Sequence, residues 1–285
     1  MLWSPARPRR PRNVVAQQRV AEVRRDHPEA EAWLELLEAA LAESEEATWE
    51  AGVPAALADR PAKAPVLFRA RLAVNARAAE RWVRRIAGRQ VDAGALLEAA
   101  VCQDDVRIEA LAATAGAEPE ALRVAAQMAA VPLLQACGRA FAPQLAPTWW
   151  EGYCPVCGAW PLLSELRGLE RARRLRCGRC AADWRLAWLQ CAYCGERRHE
   201  RLGSLVSEGQ VDGRKIEICT ECRGYMKSVS TLEPLTPAGV LLTDLETVEL
   251  DLVAREREWI RPDRPACALD VRIVGAPRAV AERSW

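Results

Sequence analysis

The sequence predicts an α+β chain of several domains: an N-terminal all-α helical bundle, then two small cysteine-bearing β ribbons, then a C-terminal helix. Three observations predict it. Apolar residues recur at helical spacing from about residue 26 to 145, short alternating segments with Gly-containing turns fill residues 148 to 230, and four Cys-x-x-Cys pairs fall inside that second stretch. The expected division is 1–25 as a flexible Arg/Pro-rich terminus, 26–147 as the bundle, 148–189 and 190–232 as the two ribbons, and 233–285 as a C-terminal helix and tail.

The elements follow from local signals. In "DHPEAEAWLELLEAALAESEEATWE", Asp26 and Pro28 open a helix with Trp33, Leu37 and Leu41 on one face and glutamates on the other. "VNARAAERWVRRIAG" offers Asn75 as N-cap and Gly88 as stop. "VDAGALLEAAVCQDDVRIEALAATAG" places Leu97, Val101, Ile108 and Leu111 at helical spacing and ends at Gly116. "EPEALRVAAQMAAVPLLQACGRAFA" starts with Pro119 and carries Pro132 inside, where the missing N–H and the ring clash predict a kink or a break. Four or five helices are expected. After the loop "LEPLTPAG", the segment "TDLETVELDLVAREREW" reads as one helix with a Thr243/Glu246 capping box and Leu241, Leu245, Val248 and Leu252 on one face. A strand is expected near "ALDVRIVG".

Composition bounds the function. The chain has 285 residues, half of them hydrophobic and 28% charged, with formal net charge +1, which fits a globular protein and argues against strong polyanion binding. Basic charge comes as 37 Arg and 3 Lys, a bias that a GC-rich genome explains without any binding surface. No run of eighteen apolar residues occurs, and "MLWSPARPRRPRNVVAQQRV" lacks the apolar core of an export signal, so the expected location is the cytoplasm. A reducing compartment disfavours permanent disulfides and shifts paired thiols toward metal binding.

The pairs are Cys154/Cys157, Cys177/Cys180, Cys191/Cys194 and Cys219/Cys222, with gaps of 19, 10 and 24 residues between them. A Cys-x-x-Cys turn aims two sulfurs at one point, and two facing turns make a tetrahedron of thiolates whose repulsion a metal ion offsets. A gap of 19 or 24 residues holds a β-hairpin, whereas 10 is a linker. Consecutive pairing gives Cys154, Cys157, Cys177 and Cys180 as one site and Cys191, Cys194, Cys219 and Cys222 as the other; an interleaved cross-brace is the alternative and makes the gaps long for a ribbon. Gly158, Gly178, Gly195 and Gly224 follow the pairs and are expected to supply positive φ for tight closure. Four-sulfur sites suit zinc, redox-inert and structural, or a single iron that passes one electron as in rubredoxin.

Other residues point away from catalysis. The two histidines, His27 and His199, lie far apart, no phosphate loop or nucleophile elbow is present, and no catalytic residue is expected. Cys102 and Cys137 fall on apolar helical segments and read as buried small hydrophobes, and Cys267 is unpaired. Residues 148 to 230 carry 14 Arg/Lys against 10 Asp/Glu, a surplus that two loaded tetrathiolate sites would cancel, which weakens a nucleic-acid ribbon. Trp149, Trp150, Trp160, Trp184 and Trp188 read either as the ribbons' own core or as partner anchors.

The segments "GYCPVCGAWPLL", "RLRCGRCAADWRLAWLQCAYCGE", "ICTECRGYMKSV" and "DLETVELDLVARE", in that order, resemble the FdhE family of formate dehydrogenase accessory proteins. The resemblance covers about 148 to 258 by motif and the helical half by layout; the tail after Trp259 departs from it. It implies a helical domain followed by two rubredoxin-like, or zinc-ribbon, domains whose paired cysteines are the eight named above, with iron or zinc as cofactor. It implies a cytoplasmic maturation factor that binds the formate dehydrogenase catalytic subunit; the residues themselves lead to no expectation of enzymatic activity or membrane insertion. The competing readings are a rubredoxin-like electron-transfer protein and a nucleic-acid-binding zinc ribbon.

Overall fold

Helix α6 (Pro119–Phe141) is the axis of the helical half, and its middle, from Met128 to Gly138, is buried on every face because helices pack around it. The computed structural model of the chain describes residues 12–51, 53, 60–145, 149–206 and 213–275. Around α6 stand α2 (Glu31–Glu43), α3 (Ala76–Ala87), α4 (Ala93–Cys102) and α5 (Asp105–Ala115). Asn75 caps α3 through its side chain, which accepts from the Ala78 N–H, and Gly88 ends the helix at φ 85°. Helix α6 runs unbroken through Pro132. One turn earlier the Ala129 carbonyl accepts 3.0 Å from Nε1 of buried Trp82, a tertiary bond that holds the backbone where the proline weakens the ladder.

Four elements differ from the sequence expectation. The segment expected to be mobile is helical from Arg12 onward, because α1 (Arg12–Asp26) buries Val20 and Val23 on one face; residues 1–11 lie outside the described residues. The single helix expected over residues 91–116 is split. Gln103 turns left-handed at φ 57°, and the Asp104 carboxylate then accepts from the Arg107 N–H and caps α5. The single C-terminal helix is likewise two, α7 (Pro237–Leu245) and α8 (Val248–Glu256). The real cap is Thr236, and Thr243 and Glu246 instead bind Arg19 of α1. At the break, the Thr247 hydroxyl donates to the Thr243 carbonyl at 2.7 Å and buried Lys227 donates to the Asp244 carbonyl at 2.6 Å, so two helix acceptors are taken by side chains. Finally, the helical half contains a strand, β1 (Arg71–Val74). It pairs in parallel with β8 (Arg272–Gly275), the strand expected in the tail; residues 276–285 lie outside the described residues.

The cysteine region forms one six-stranded sheet in the order β4-β3-β2-β7-β6-β5, from β2 (Leu163–Arg167), β3 (Ala172–Arg176), β4 (Asp183–Arg185), β5 (Leu202–Leu205), β6 (Arg214–Cys219) and β7 (Gly224–Thr231). Each ribbon is antiparallel internally. The seam between them is the parallel pair β2–β7, with Ser164 opposite Ser228 and Arg167 opposite Thr231. Helix α8 covers the second ribbon through Ile216, Tyr225, Leu250, Ala254 and Trp259. The first ribbon merges with the main core, which runs from Leu34 and Leu134 through Phe141 to Trp184.

Candidate metal centres

Four knuckles of like geometry hold the eight paired cysteines. In the first three, the amide of the leading cysteine donates to the carbonyl five residues on: Cys154 to Ala159 at 2.8 Å, Cys177 to Ala182 at 2.9 Å and Cys191 to Glu196 at 2.8 Å. In the fourth the same spacing is closed by the ladder pair Cys219–Gly224. The residue four beyond each leading cysteine is left-handed: Gly158 (φ 67°), Ala181 (φ 62°), Gly195 (φ 77°) and Arg223 (φ 58°). The expectation for Gly178 and Gly224 is therefore corrected. Neither has positive φ, and each is glycine for space: a Cβ on Gly178 would lie 2.7 Å from Leu162 Cδ2, and one on Gly224 would lie 2.6 Å from Tyr193 Cδ2 and 3.0 Å from Cys222 Sγ.

The fold brings Cys154, Cys157, Cys177 and Cys180 together as site 1 and Cys191, Cys194, Cys219 and Cys222 as site 2, with the sulfurs of each group within 4.8 Å of one another. These are consecutive pairs, not interleaved ones. Across the facing knuckles, Sγ–Sγ separations are 3.4 Å (Cys154–Cys180), 3.5 Å (Cys157–Cys177), 3.7 Å (Cys191–Cys222) and 3.7 Å (Cys194–Cys219). A disulfide needs about 2.05 Å. A tetrahedron with metal–sulfur bonds of about 2.3 Å has edges of roughly 3.8 Å. Both donor sets fit a tetrahedral ion, and each could hold one.

The electrostatics lead to the same fit. In site 1, burial and the neighbouring thiols push Cys154 and Cys180 well up, while hydrogen bonds from Cys154, Cys157 and Cys180 draw Cys177 down. In site 2, the Cys222 thiol and the backbone N–H groups of Cys194 and Tyr193 pull Cys191 down to about 5, burial raises Cys194 to about 11, and the hydrogen bond with Cys191 raises Cys222. Four crowded sulfurs by themselves share few negative charges. A divalent cation at the centre favours the thiolate at all four.

The surroundings of the sites differ. All four site 1 cysteines are buried and belong to the main core. Its first knuckle bonds to the segment before β1, with Val66 N–H to Pro155 carbonyl at 2.8 Å and Leu67 N–H to Val156 carbonyl at 3.0 Å. In its second knuckle, Arg179 donates to the Ala100 and Val101 carbonyls at the end of α4. Helix α6 approaches so closely that a Cβ on Gly138 would sit 2.0 Å from the Cys180 carbonyl oxygen. In site 2, Cys191 and Cys219 are buried, Cys222 is half-buried and Cys194 is exposed.

Other candidate residues fall outside both clusters. His199 is exposed and faces Glu200. Cys137 is buried on α6, where burial lifts its thiol to about 12. Cys102 is half-buried and accepts from the Val271 N–H at 3.3 Å, and Cys267 is half-buried. The tryptophans divide: Trp184 is core, Trp150 and Trp188 are exposed, and Trp149 and Trp160 join an edge-on ring series Trp149–Tyr153–Trp160–Tyr193 with centroid spacings of 5.5, 6.2 and 5.3 Å. That series runs from the first knuckle of site 1 to the first knuckle of site 2. Most of the arginines that look basic in print face internal acceptors: Arg167 and Arg176 on Glu165, Arg174 on Asp183, Arg173 on Glu217 and Arg179 on helix carbonyls, while Arg171 and Arg185 are exposed. No helix among the described residues is long and apolar enough to cross a membrane.

Comparison with known proteins agrees with this geometry. No protein-family model matches the chain. A protein named FdhE homolog from Aquifex aeolicus is 34% identical over 122 residues, 41% of each chain. Another from Stutzerimonas stutzeri is 39% identical over 112 residues, 38% of this chain and 35% of that one. The match thus spans between about a third and two fifths of the curated relatives' length. The crystal structure of the FdhE protein from Pseudomonas aeruginosa superposes with a TM-score of 0.54 at 23% identity, covering 89% of this chain and 94% of that one, which establishes a shared fold. The resemblance to the FdhE family read from the cysteine motifs is borne out by these matches.

Proposed function

We propose that this relative of the FdhE proteins is a cytoplasmic accessory factor in formate dehydrogenase maturation, non-catalytic, that binds the immature catalytic subunit. The observation that carries the reading is the pair of four-cysteine clusters set in one continuous sheet against a helical bundle, in a fold shared with an FdhE protein along most of both chains. Cys154, Cys157, Cys177 and Cys180 would hold one ion and Cys191, Cys194, Cys219 and Cys222 the other. The bound ion supplies charge neutralisation and a fixed tetrahedral cross-link, and iron would add a one-electron couple. The chain's own residues supply rigidity: α6 and Arg179 lock site 1, and the β2–β7 seam carries that rigidity to the second ribbon. The buried carboxylate Glu165 is engaged by Arg167, Arg176, Thr231 and the Leu235 amide, which suits a scaffold rather than an acid–base centre.

The test is co-purification. The metal-loaded chain is expected to retain a formate dehydrogenase catalytic subunit from cells that make that enzyme, and recovery of none overturns the reading. A one-electron carrier is the second reading, favoured by the aromatic series between the sites and the open face at Cys194. Zinc as the sole metal in anaerobically isolated protein, with no visible band bleached by reductant, eliminates it. A nucleic-acid ribbon would have Arg171 and Arg185 exposed in this cluster and would have to break internal pairs to use the others, and absence of binding at low salt disposes of it.

A further inference from the structure

Between the linker that follows β4 and the exposed face of the second ribbon lies a cleft of about 250 Å³, lined by Arg173, Trp188, Leu189, Tyr193, Lys215 and Met226. It adjoins site 2, since Cys191 and Cys219 also line it, but the residues named before them are not metal ligands. Three observations describe what it would take. Trp188 and Leu189, adjacent in sequence, are 50% and 57% exposed on its rim, an apolar pair that folding leaves uncovered. Lys215 lies 5.7 Å from the Trp188 ring centroid and has no carboxylate partner among the described residues. On the same wall Arg173 is buried and its Nε–H has no acceptor, although its other nitrogens are satisfied by the Ala187 and Gln190 carbonyls and by Glu217 at 2.6 Å. Because Glu217 offsets Arg173, Lys215 is left as the cation of the cleft without a carboxylate partner among the described residues, beside the negatively charged sulfurs of site 2.

The shape argues for a chain in extended form. The cavity has room for one or two large side chains and none for a folded surface. One side is Leu202, Gly203 and Ser204 of β5, an edge strand of the sheet, where one row of backbone groups faces no neighbouring strand among the described residues. A segment laid along such an edge gains main-chain hydrogen bonds, while alternate side chains turn into the adjoining pocket.

We propose that this cleft binds an extended segment of the client protein that presents an apolar side chain to Trp188 and Leu189 and a neighbouring carboxylate to Lys215. The proposal rests on the reading of the chain as a client-binding accessory protein. Overlapping synthetic peptides covering the formate dehydrogenase catalytic subunit are titrated against the metal-loaded full chain and its Trp188→Ala and Lys215→Glu variants. Bound peptides are expected to carry an apolar residue beside an acidic one and to lose about tenfold in affinity, roughly 1.4 kcal/mol, with either variant. Replacing the acidic residue of such a peptide by lysine is expected to restore binding to Lys215→Glu. Unchanged metal content and circular dichroism show that the variants fold. Absence of any bound peptide, or equal binding by wild type and both variants, overturns the cleft. If the intact subunit is captured equally by wild type and both variants, the cleft is wrong and the accessory reading stands. If wild type captures no intact subunit yet binds acidic-apolar peptides with this variant dependence, the accessory reading falls and the cleft stands.

Discussion

Site 1 and site 2 are built from one knuckle used four times, and they differ in what the rest of the chain does around them. Site 1 is closed over by α6, bonded to the end of α4 and part of the main apolar core. The four cysteines of site 2 lie outside that core, although Ala192 of their first knuckle belongs to it, with one cysteine exposed and another half-buried, beside a cleft. The ligand set decides that an ion can be held. The packing decides whether that ion is a cornerstone of the fold or a feature of the surface.

The largest expected effect tests the first half of that statement. Cys177→Ser removes a ligand from the buried site. A structural four-ligand site contributes about 10–16 kcal/mol in zinc-finger peptides, comparable with the whole stability of a domain at about 5–15 kcal/mol. The variant is expected to be insoluble or to lose helical circular dichroism, whereas Cys222→Ser loses one metal equivalent with the helical signal retained. Equal damage from both would erase the distinction between the sites.

Next in size is Trp184→Ala. The ring is 4% exposed under site 1 and donates 3.2 Å to the Glu151 carbonyl, so its loss is expected to cost about 3–5 kcal/mol in denaturant unfolding. The exposed Trp150 and Trp188 are expected to show no comparable loss on the same change. Gly138→Ala follows, because its Cβ meets the Cys180 carbonyl at a point where neither backbone can give. Overpacking costs of about 1–3 kcal/mol are usual, and this one is expected at the upper end, with metal retention in site 1 weakened and site 2 unaffected. The smallest effect leaves stability untouched and sharpens the comparison most finely. Limiting alkylation in the presence of a chelator is expected to label the site 2 cysteines, two of which are open to solvent, ahead of the site 1 cysteines, which react only on unfolding. Peptide mapping reads the order.

The sequence exposed the site far better than its setting. Spacing alone identified eight cysteines that converge, since a Cys-x-x-Cys turn is local chemistry. Asn75 and Gly88 were legible for the same reason, as cap and stop act within one turn. What escaped was decided at long range. The α7–α8 break depends on Lys227, which arrives from β7, and the Thr243/Glu246 pattern was taken up by Arg19 from α1. The β1–β8 and β2–β7 pairs join segments far apart in the chain, so no local period reports them. Left-handed Ala181 and Arg223 show the limit from the other side: the knuckle imposes its backbone even where the residue is not glycine, and it left Gly178 and Gly224 to serve close packing instead.

The most direct measurement of the central claim is native mass spectrometry of freshly isolated, oxygen-protected protein, followed by denatured mass and thiol counting. Two bound metal ions, one retained by Cys222→Ser, and eleven free thiols after metal removal are the predicted result. A metal-free mass with thiols missing in pairs, the signature of disulfides across the knuckles, would contradict it.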